Sequence, residues 1–193
     1  MSSGEASEEK RAARTRRQPR ELDSARLEEL ALAYVARFAT SAAKLERYLG
    51  RKLRERGWNG EGEPDLAGLV GRFVALGYVD DAAFARARSD SLLRRGYGPR
   101  RVRQALGEAG IAAEVSEEAR PSEGAVRRAA LALARKRGFG PFGRTRPDRQ
   151  QRERQLAAML RAGHALDSAR EMVDAASELA AEQWAAACDD EEC

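Results

Sequence analysis

Residues 105–111 read ALGEAGI, an apolar helix end that stops at a glycine and continues into another apolar residue. Glycine readily takes the left-handed backbone conformation in which helices commonly end, so Gly110 marks a helix C-terminus. Similar stretches occur at 52–58 (KLRERGW) and 158–164 (AMLRAGH), and their glycines, Gly57 and Gly163, each lie 53 residues from Gly110. This equal spacing indicates three tandem units.

Each unit has room for three helices. The helical period is clearest in the first unit, which carries three apolar faces. Their members are Leu27, Leu30, Ala31, Tyr34 and Phe38; Leu45, Tyr48, Leu49 and Leu53; and Leu66, Leu69, Val70, Phe73 and Leu76. Helices are predicted at 81–95, 99–109 and 112–119 in the middle unit, and at 123–137, 148–162 and 167–185 in the last. We therefore predict an all-α fold in which three tandem three-helix repeats stack into an elongated, curved rod.

The predicted organisation of the chain follows from these units. It consists of a disordered basic N-terminal tail (1–22), repeat 1 (23–77), repeat 2 (78–120), repeat 3 (121–185) with an Arg/Gly-rich linker at 138–149, and an acidic C-terminal tail (186–193). Residues 1–20 contain no apolar residue larger than alanine after Met1, so they cannot contribute to a core.

The stretch LGYVDDAAFARA at 76–87 reads as a joint between the first and second units. A glycine ends one helix, and Asp80 or Asp81 can accept hydrogen bonds from free amides at the start of the next. We expect Val79 and Phe84 to lie in the core. The two aspartates are expected to be caps rather than a metal pair, because carboxylates at a helix start interact favourably with the helix dipole.

Charge is distributed unevenly along the 193 residues, although the net charge is only +4. Residues 86–103 contain seven arginines and one aspartate, a net charge of +6, and residues 127–154 contain ten basic and two acidic residues, a net charge of +8. Nine carboxylates between Asp167 and Glu192 oppose Arg170, a net charge of −8. Solvated helix faces would explain any single run. Two successive basic runs favour a polyanion or an acidic partner for the middle of the chain, and self-shielding or a basic partner for its end.

Residues that carry enzyme chemistry are scarce. The sequence has no nucleotide-binding glycine loop and no Cys/His cluster, so we predict no cofactor, no metal site and no enzymatic activity. The sole histidine, His164, takes the position of Trp58 and Ile111 in the other units, which favours packing at a helix end over acid–base catalysis. Cys188 and Cys193 would close only a small loop and are expected to be free thiols.

No stretch of the sequence approaches the roughly 20 apolar residues that a membrane span needs. The N-terminal charges are also not followed by an apolar export segment. We therefore expect a cytoplasmic protein that does not bind membranes. A monomer is a separate expectation, which the sequence itself does not settle.

The sequence RRGYGPRR at 94–101 places basic residues around a tight turn. No strand precedes it, so it is interpreted as a turn into a helix, with Gly98 as the cap and Pro99 at the first helical position. Guanidinium groups and helix amides gather around Tyr97, and such groups bind phosphates or acidic protein faces. The predicted contact residues here and at the end of the 123–137 helix are Arg94, Arg95, Tyr97, Arg100, Arg101, Arg103, Arg135, Lys136 and Arg137.

Residues 76–111 resemble the central repeat of the bacterial RecX family. They show its apolar residue before Asp-Asp-x-x-Phe-Ala, then Gly-x-Gly and a basic stretch leading to Leu and Gly-Ile. The resemblance covers about residues 27–180. It implies a regulator of the RecA recombinase in DNA repair and the SOS response, built from three three-helix repeats, that lies in the groove of RecA filaments on single-stranded DNA and restrains them. Weak, non-specific binding of single-stranded DNA is implied too, with double-stranded DNA left open.

Two other classes of function remain open at this stage. A helical DNA-binding protein or transcription factor could act independently of RecA, since three-helix units can present a recognition helix. Against this, the second helices offer few Asn or Gln side chains for base edges, Gln104 being nearly alone. An enzyme on a helical scaffold is the third possibility, and the missing site residues argue against it.

Overall fold

The computed structural model describes residues 20–187. In this range the chain forms ten α-helices, one 3-10 turn at Gly140–Phe142 and no β-strand, which confirms the all-α prediction. The helices are α1 (Ser24–Val35), α2 (Ala42–Arg56), α3 (Leu66–Ala75), α4 (Asp81–Arg94), α5 (Pro99–Glu108), α6 (Ala113–Glu118), α7 (Glu123–Arg137), α8 (Arg149–Arg161), α9 (Leu166–Asp174) and α10 (Glu178–Ala186).

Short polar side chains define most of the helix starts. Seven of the N-cap residues accept a hydrogen bond from a backbone amide three residues further on, which satisfies one of the free donors of the first turn. They are Asp23, Ser41, Asp65, Asp80, Ser122, Asp148 and Ser177. The three evenly spaced glycines take positive φ angles after α2, α5 and α8, as predicted: 82° at Gly57, 75° at Gly110 and 96° at Gly163.

Three hydrophobic clusters follow one another along the chain. The first contains buried residues from Leu22 to Val79, the second from Ala85 to Ala129, and the third from Ala130 to Ala181. Helix α7 is shared, because its Ala129 packs into the second cluster and its Ala130 into the third. Two of the clusters therefore extend past the predicted boundaries at 77 and 120.

The last predicted helix, 167–185, is wrong as a single helix. It is broken into α9 and α10 at residues 175–177, where Ala175 leaves the helical conformation and Ser177 caps a new helix. Helix α10 then packs back against α7. The break places the buried side of α10, at Ala181 and Ala185, against the rest of the third unit.

Three predicted core residues are more exposed than expected. Phe38 lies beyond the end of α1 and is 55% exposed, and Leu76 follows α3 and is 66% exposed. Phe84 is half-buried rather than a core residue, whereas Val79 is buried as expected. For Phe38 and Leu76 the predicted apolar face was extended past the end of the helix, and for Phe84 the neighbouring elements of the second cluster cover the ring only in part.

The predicted N-terminal tail is too long by at least one residue. Leu22 is fully buried, its amide donates to the Gly57 carbonyl at 3.1 Å, and its carbonyl accepts from Asn59 at 2.8 Å. The first unit therefore begins before residue 23. Residues 1–19 and 188–193, which include most of the two predicted tails and both cysteines, lie outside the described residues.

Candidate functional site

The joint between the second and third units is made by backbone groups. The Gly98 amide at the start of α5 donates to the Ala162 carbonyl at the end of α8 (2.9 Å), and the Arg100 amide donates to the Gly163 carbonyl (3.1 Å). His164 adds a third link, because its Nε2 lies 3.0 Å from the Gly96 carbonyl. The end of α8 therefore covers the start of α5.

The joint between the first and second units uses the same ends of the equivalent helices. Ser41, the buried N-cap of α2, donates its hydroxyl to the Ala109 carbonyl at the end of α5 (2.6 Å). The Asp81 carboxylate accepts from the Ala42 amide at 2.8 Å, so this aspartate caps α2. Its neighbour Asp80 caps α4 by accepting from Ala83 at 2.8 Å. The adjacent aspartates thus serve two different helices, which the sequence alone did not reveal.

Together the two joints place α8, α5 and α2 end to end. In each joint the carbonyl end of one helix meets the amide end of the next, so the partial charges of the helix termini are complementary. Arg47 extends the first joint by donating to the Glu108 carbonyl at 3.0 Å. We call these three helices the helix column.

The predicted site around Tyr97 is present, but without free helix amides. Tyr97 is half-buried, and the guanidinium carbon of Arg95 lies 5.4 Å from the centre of its ring. The amides of Gly98 and Arg100 are already bonded to α8, and Pro99 has no amide hydrogen. The expectation that the positive end of this helix binds a phosphate is therefore wrong, and only side chains remain available.

The arginines of this turn differ in their surroundings. Arg94, Arg95, Arg100 and Arg103 are exposed, whereas Arg101 is half-buried. Arg101 donates to Gln104 at 2.8 Å, and Gln104 donates in turn to Glu108 at 2.9 Å. Within residues 20–187, Arg100 and Arg103 have no carboxylate within 4 Å, so their charge is available to an external partner.

The second predicted group, Arg135, Lys136 and Arg137, ends α7. Arg135 forms an ion pair with Glu182 of α10, and its guanidinium carbon lies 5.7 Å from the centre of the Phe142 ring. Lys136 and Arg137 are exposed. Gly96 packs against Leu133, one turn earlier in α7. The segments that carry the two basic groups therefore pack against each other, although part of the charge at Arg135 is neutralised internally.

The acidic end of the chain packs partly against its own basic helix. Besides the Arg135 contact, the guanidinium carbon of Arg127 lies 4.8 Å from the centre of the Trp184 ring. Arg152 of α8 forms two hydrogen bonds of 2.5 Å with Asp174 at the end of α9, and this contact lowers the pKa of that carboxyl group. These contacts match the predicted self-shielding within the described residues.

The described residues hold no cluster of three or more His, Cys, Asp or Glu side chains that could bind a metal ion. His164 is fully buried, and burial lowers its pKa. Its Nδ1 atom has no hydrogen-bond partner among the described groups. The histidine therefore acts as a neutral packing residue at a joint, as its position in the sequence predicted.

Comparison with known proteins agrees with this architecture. A family model described as RecX, second three-helix domain, matches residues 80–119. A regulatory protein RecX from Myxococcus xanthus is 32% identical over 176 residues, which cover 86% of this chain and 94% of the relative. The chain belongs to the RecX family. Another RecX, from Thermus thermophilus, is 41% identical over 107 residues, 55% of this chain and 71% of the relative.

Solved RecX structures share the fold. The crystal structure of RecX from Lactobacillus salivarius superimposes with a TM-score of 0.62 at 16% identity, over 78% of this chain and 94% of that one. A second crystal structure of a regulatory protein RecX gives 0.61 at 19% identity, over 78% and 70% of the two chains. None of the RecX helices at residues 20–187 is long and apolar enough to cross a membrane.

Proposed function

We propose that this chain regulates RecA by binding RecA filaments on single-stranded DNA and restraining their activity, without catalysing a reaction itself. The observation that carries the proposal is membership of a family of regulatory proteins, supported by a relative that the chain matches over 94% of its length. A regulator needs a docking surface rather than an active site.

The exposed arginines supply the proposed contact. Arg94, Arg100 and Arg103 are exposed on the second unit, and Lys136 and Arg137 are exposed at the end of α7. Guanidinium groups form strong hydrogen bonds with carboxylates and phosphates alike. These side chains can therefore serve acidic protein faces of the filament and DNA phosphates alike, and DNA binding by this route would be weak and independent of sequence.

The proposal is tested by co-sedimentation with RecA filaments assembled on single-stranded DNA. The double variant Arg100→Glu/Arg103→Glu should lower the affinity for filaments at least about tenfold, because each lost charged contact is worth on the order of 1.5–3 kcal/mol. Both residues are exposed on α5, so the fold should persist. The matched control is Arg72→Glu/Arg170→Glu, which changes the net charge equally at two exposed sites elsewhere on the chain.

Wild-type affinity in the Arg100/Arg103 variant, with the fold intact, would show that this surface is not the contact. Failure of the wild-type chain to sediment with filaments under conditions where it binds DNA alone would instead favour a DNA-binding protein that acts independently of RecA.

A further inference from the structure

A cleft lies between the second and third units, where α5, α6, α7 and the start of α9 meet. It has a volume of about 170 Å³ and is lined by the buried apolar side chains of Val102, Leu106 and Val126. Arg103 of α5, the middle helix of the helix column, lines it as well. Small-molecule sites usually measure roughly 300–1,000 Å³, so a cleft of this size suits one or two side chains of a peptide.

The carboxylates that line the cleft are already paired, whereas Arg103 is not. Glu117 lies 2.9 Å from Arg120, and Glu123 lies 3.0 Å from Arg127. Arg103 is exposed and has no carboxylate within 4 Å among the described residues. Its guanidinium group therefore brings an unpaired positive charge to the cleft.

The start of α9 adds a second group without a partner. Its N-cap, Ala165, lines the cleft and offers no side-chain hydrogen bond to the free amides of the first turn. Ser168 of this turn also lines the cleft; it is only 9% exposed, yet its hydroxyl forms no hydrogen bond with any other described group. The acidic residue of the turn, Asp167, does not line the cleft, and its side chain is 96% exposed. A carboxylate from elsewhere would satisfy both the hydroxyl and the amides, because it accepts hydrogen bonds from each.

Helix α10 leads the chain back towards this cleft. It starts beside the 3-10 turn that follows α7. Glu182 then pairs with Arg135 near the end of α7, and the Trp184 carbonyl accepts from Arg127 near its start at 3.3 Å. The two helices are therefore antiparallel. Since Arg127 also pairs with Glu123, a single arginine connects the last turn of α10 to a residue of the cleft.

The residues that follow α10 supply carboxylates. Positions 188–193, which lie outside the described residues, read CDDEEC and carry four carboxylates and no basic residue. Six residues can extend up to about 20 Å, which is enough chain to pass from the end of α10 to the cleft beside it. A segment attached in this way acts at an effective concentration of about 1 mM, which favours it over a separate acidic protein as the occupant.

We propose that the acidic segment, residues 188–193, docks in this cleft with its carboxylates on Arg103 and at the start of α9. The consequence for RecA rests on the proposed function, because Arg103 is one of the arginines assigned there to the filament contact. The docked segment competes with the filament for Arg103 and lowers the affinity of the chain for filaments.

Disulfide trapping tests the docking without RecA. Cys188→Ser leaves Cys193 as the only cysteine, and Arg120→Cys adds a thiol at the cleft. Under mild oxidation with copper–phenanthroline we expect an intramolecular disulfide, seen as a mobility shift on a non-reducing gel. Arg72→Cys, at an exposed site of the first unit, is the control and should form none.

The trapping also separates docking from mere proximity. Asp189→Asn/Asp190→Asn/Glu191→Gln/Glu192→Gln should reduce the yield of the disulfide at least about threefold, the effect expected for the loss of an exposed ion pair. Arg103→Gln should reduce it likewise. Equal yields with and without the four carboxylates, or an equal yield with Arg72→Cys, would overturn the docking and leave the proposed regulation of RecA unaffected.

Co-sedimentation with RecA filaments measures the competition. Neutralising the four carboxylates should raise the affinity roughly fivefold, the effect of removing a competitor that is tethered at about 1 mM and binds with a Kd of about 0.25 mM. In an Arg103→Gln background the same change should have little effect, because the shared contact is already lost. The control Glu29→Gln/Glu46→Gln/Glu61→Gln/Glu63→Gln neutralises four exposed carboxylates of the first unit and should not reproduce the gain.

An equal gain in that control, or no gain on neutralising the segment, would overturn the competition. If the wild-type chain does not bind filaments at all, the proposed function fails, and the yield of the trapped disulfide still decides whether the segment docks.

Discussion

Gly98 and Gly163 meet backbone to backbone where the second unit joins the third. A β-carbon placed on Gly98 would lie 2.4 Å from the carbonyl carbon of Gly163, closer than any real contact allows. The backbone of Gly98 is extended (φ −84°, ψ 173°), a conformation open to any residue, so the requirement for glycine here is one of space. This close approach is what allows the end of α8 to bond to the start of α5.

Gly98→Ala should therefore destabilise the protein by forcing the two helix ends apart. The expected loss in the free energy of unfolding is about 1–3 kcal/mol, the usual range for an added methyl group in a tightly packed position. Chemical denaturation followed by circular dichroism measures this loss. Gly107→Ala is the matched control: it lies in α5 with open space around it, and should raise stability by about 1 kcal/mol. Equal stability of the Gly98 variant and the wild type would show that the joint is not as close as described.

The first joint depends on the Ser41 hydroxyl. Ser41→Ala removes both the cap of α2 and the buried bond to the Ala109 carbonyl, so we expect a loss of about 1–3 kcal/mol in the free energy of unfolding. Ser122→Ala is the comparison, because Ser122 is an exposed cap that bonds only within its own helix; its loss should be near 1 kcal/mol. If the two variants lost the same amount, the bond between units would contribute nothing to stability.

His164 should make the stability of the protein depend on pH. Burial lowers its pKa below the ordinary value of 6.5, so in mildly acidic solution the unfolded chain binds a proton that the folded chain does not. The contribution of neutral His164 to the free energy of unfolding is complete above about pH 6.5. It is lost as the pH falls, by at most about 1.4 kcal/mol per pH unit. Thermal melts between roughly pH 5 and 8 should show this fall in the melting temperature.

The control for this effect is His164→Ile, which places the side chain of the equivalent Ile111 at the joint. This variant should melt with a weaker dependence on pH in the same range. The carboxyl group of Asp174, whose pKa is lowered by Arg152, loses its stabilising charge only at lower pH, below its ordinary value of 3.8. An unchanged pH dependence in His164→Ile would mean that His164 is not the group that titrates.

Much of the fold could be predicted because it depends on residues that lie close together in the sequence. The glycine stops, the cap residues and the helical period each act within a few positions of the sequence. They located the first eight helices separately and the last two as one. The break at Ala175 could not be predicted, since it depends on α10 turning back to pack on α7. Likewise, the exposure of Phe38 and Leu76 depends on how much of each side chain is covered by elements that are distant in the sequence.

The candidate site was predictable in composition but not in arrangement. The arginines around Tyr97 could be recognised from the sequence, whereas the covering of the α5 amides by Ala162 and Gly163 arises from residues more than sixty positions away. The role of Asp81 was hidden for the same reason, because an aspartate at a helix start reads as a cap of its own helix. The available signal for this second role was the presence of two adjacent aspartates at a helix start, where one cap is enough.

The central claim, that this chain restrains RecA, is tested most directly by RecA-catalysed ATP hydrolysis on preformed filaments as the chain is added in increasing amounts. We predict that hydrolysis falls with added chain, and that the fall persists when more single-stranded DNA is supplied, because the proposed target is the filament. The Arg100→Glu/Arg103→Glu variant should require at least about tenfold more protein for the same effect. Unchanged hydrolysis at an excess of folded wild-type chain, or a fall that extra DNA abolishes, would contradict the account.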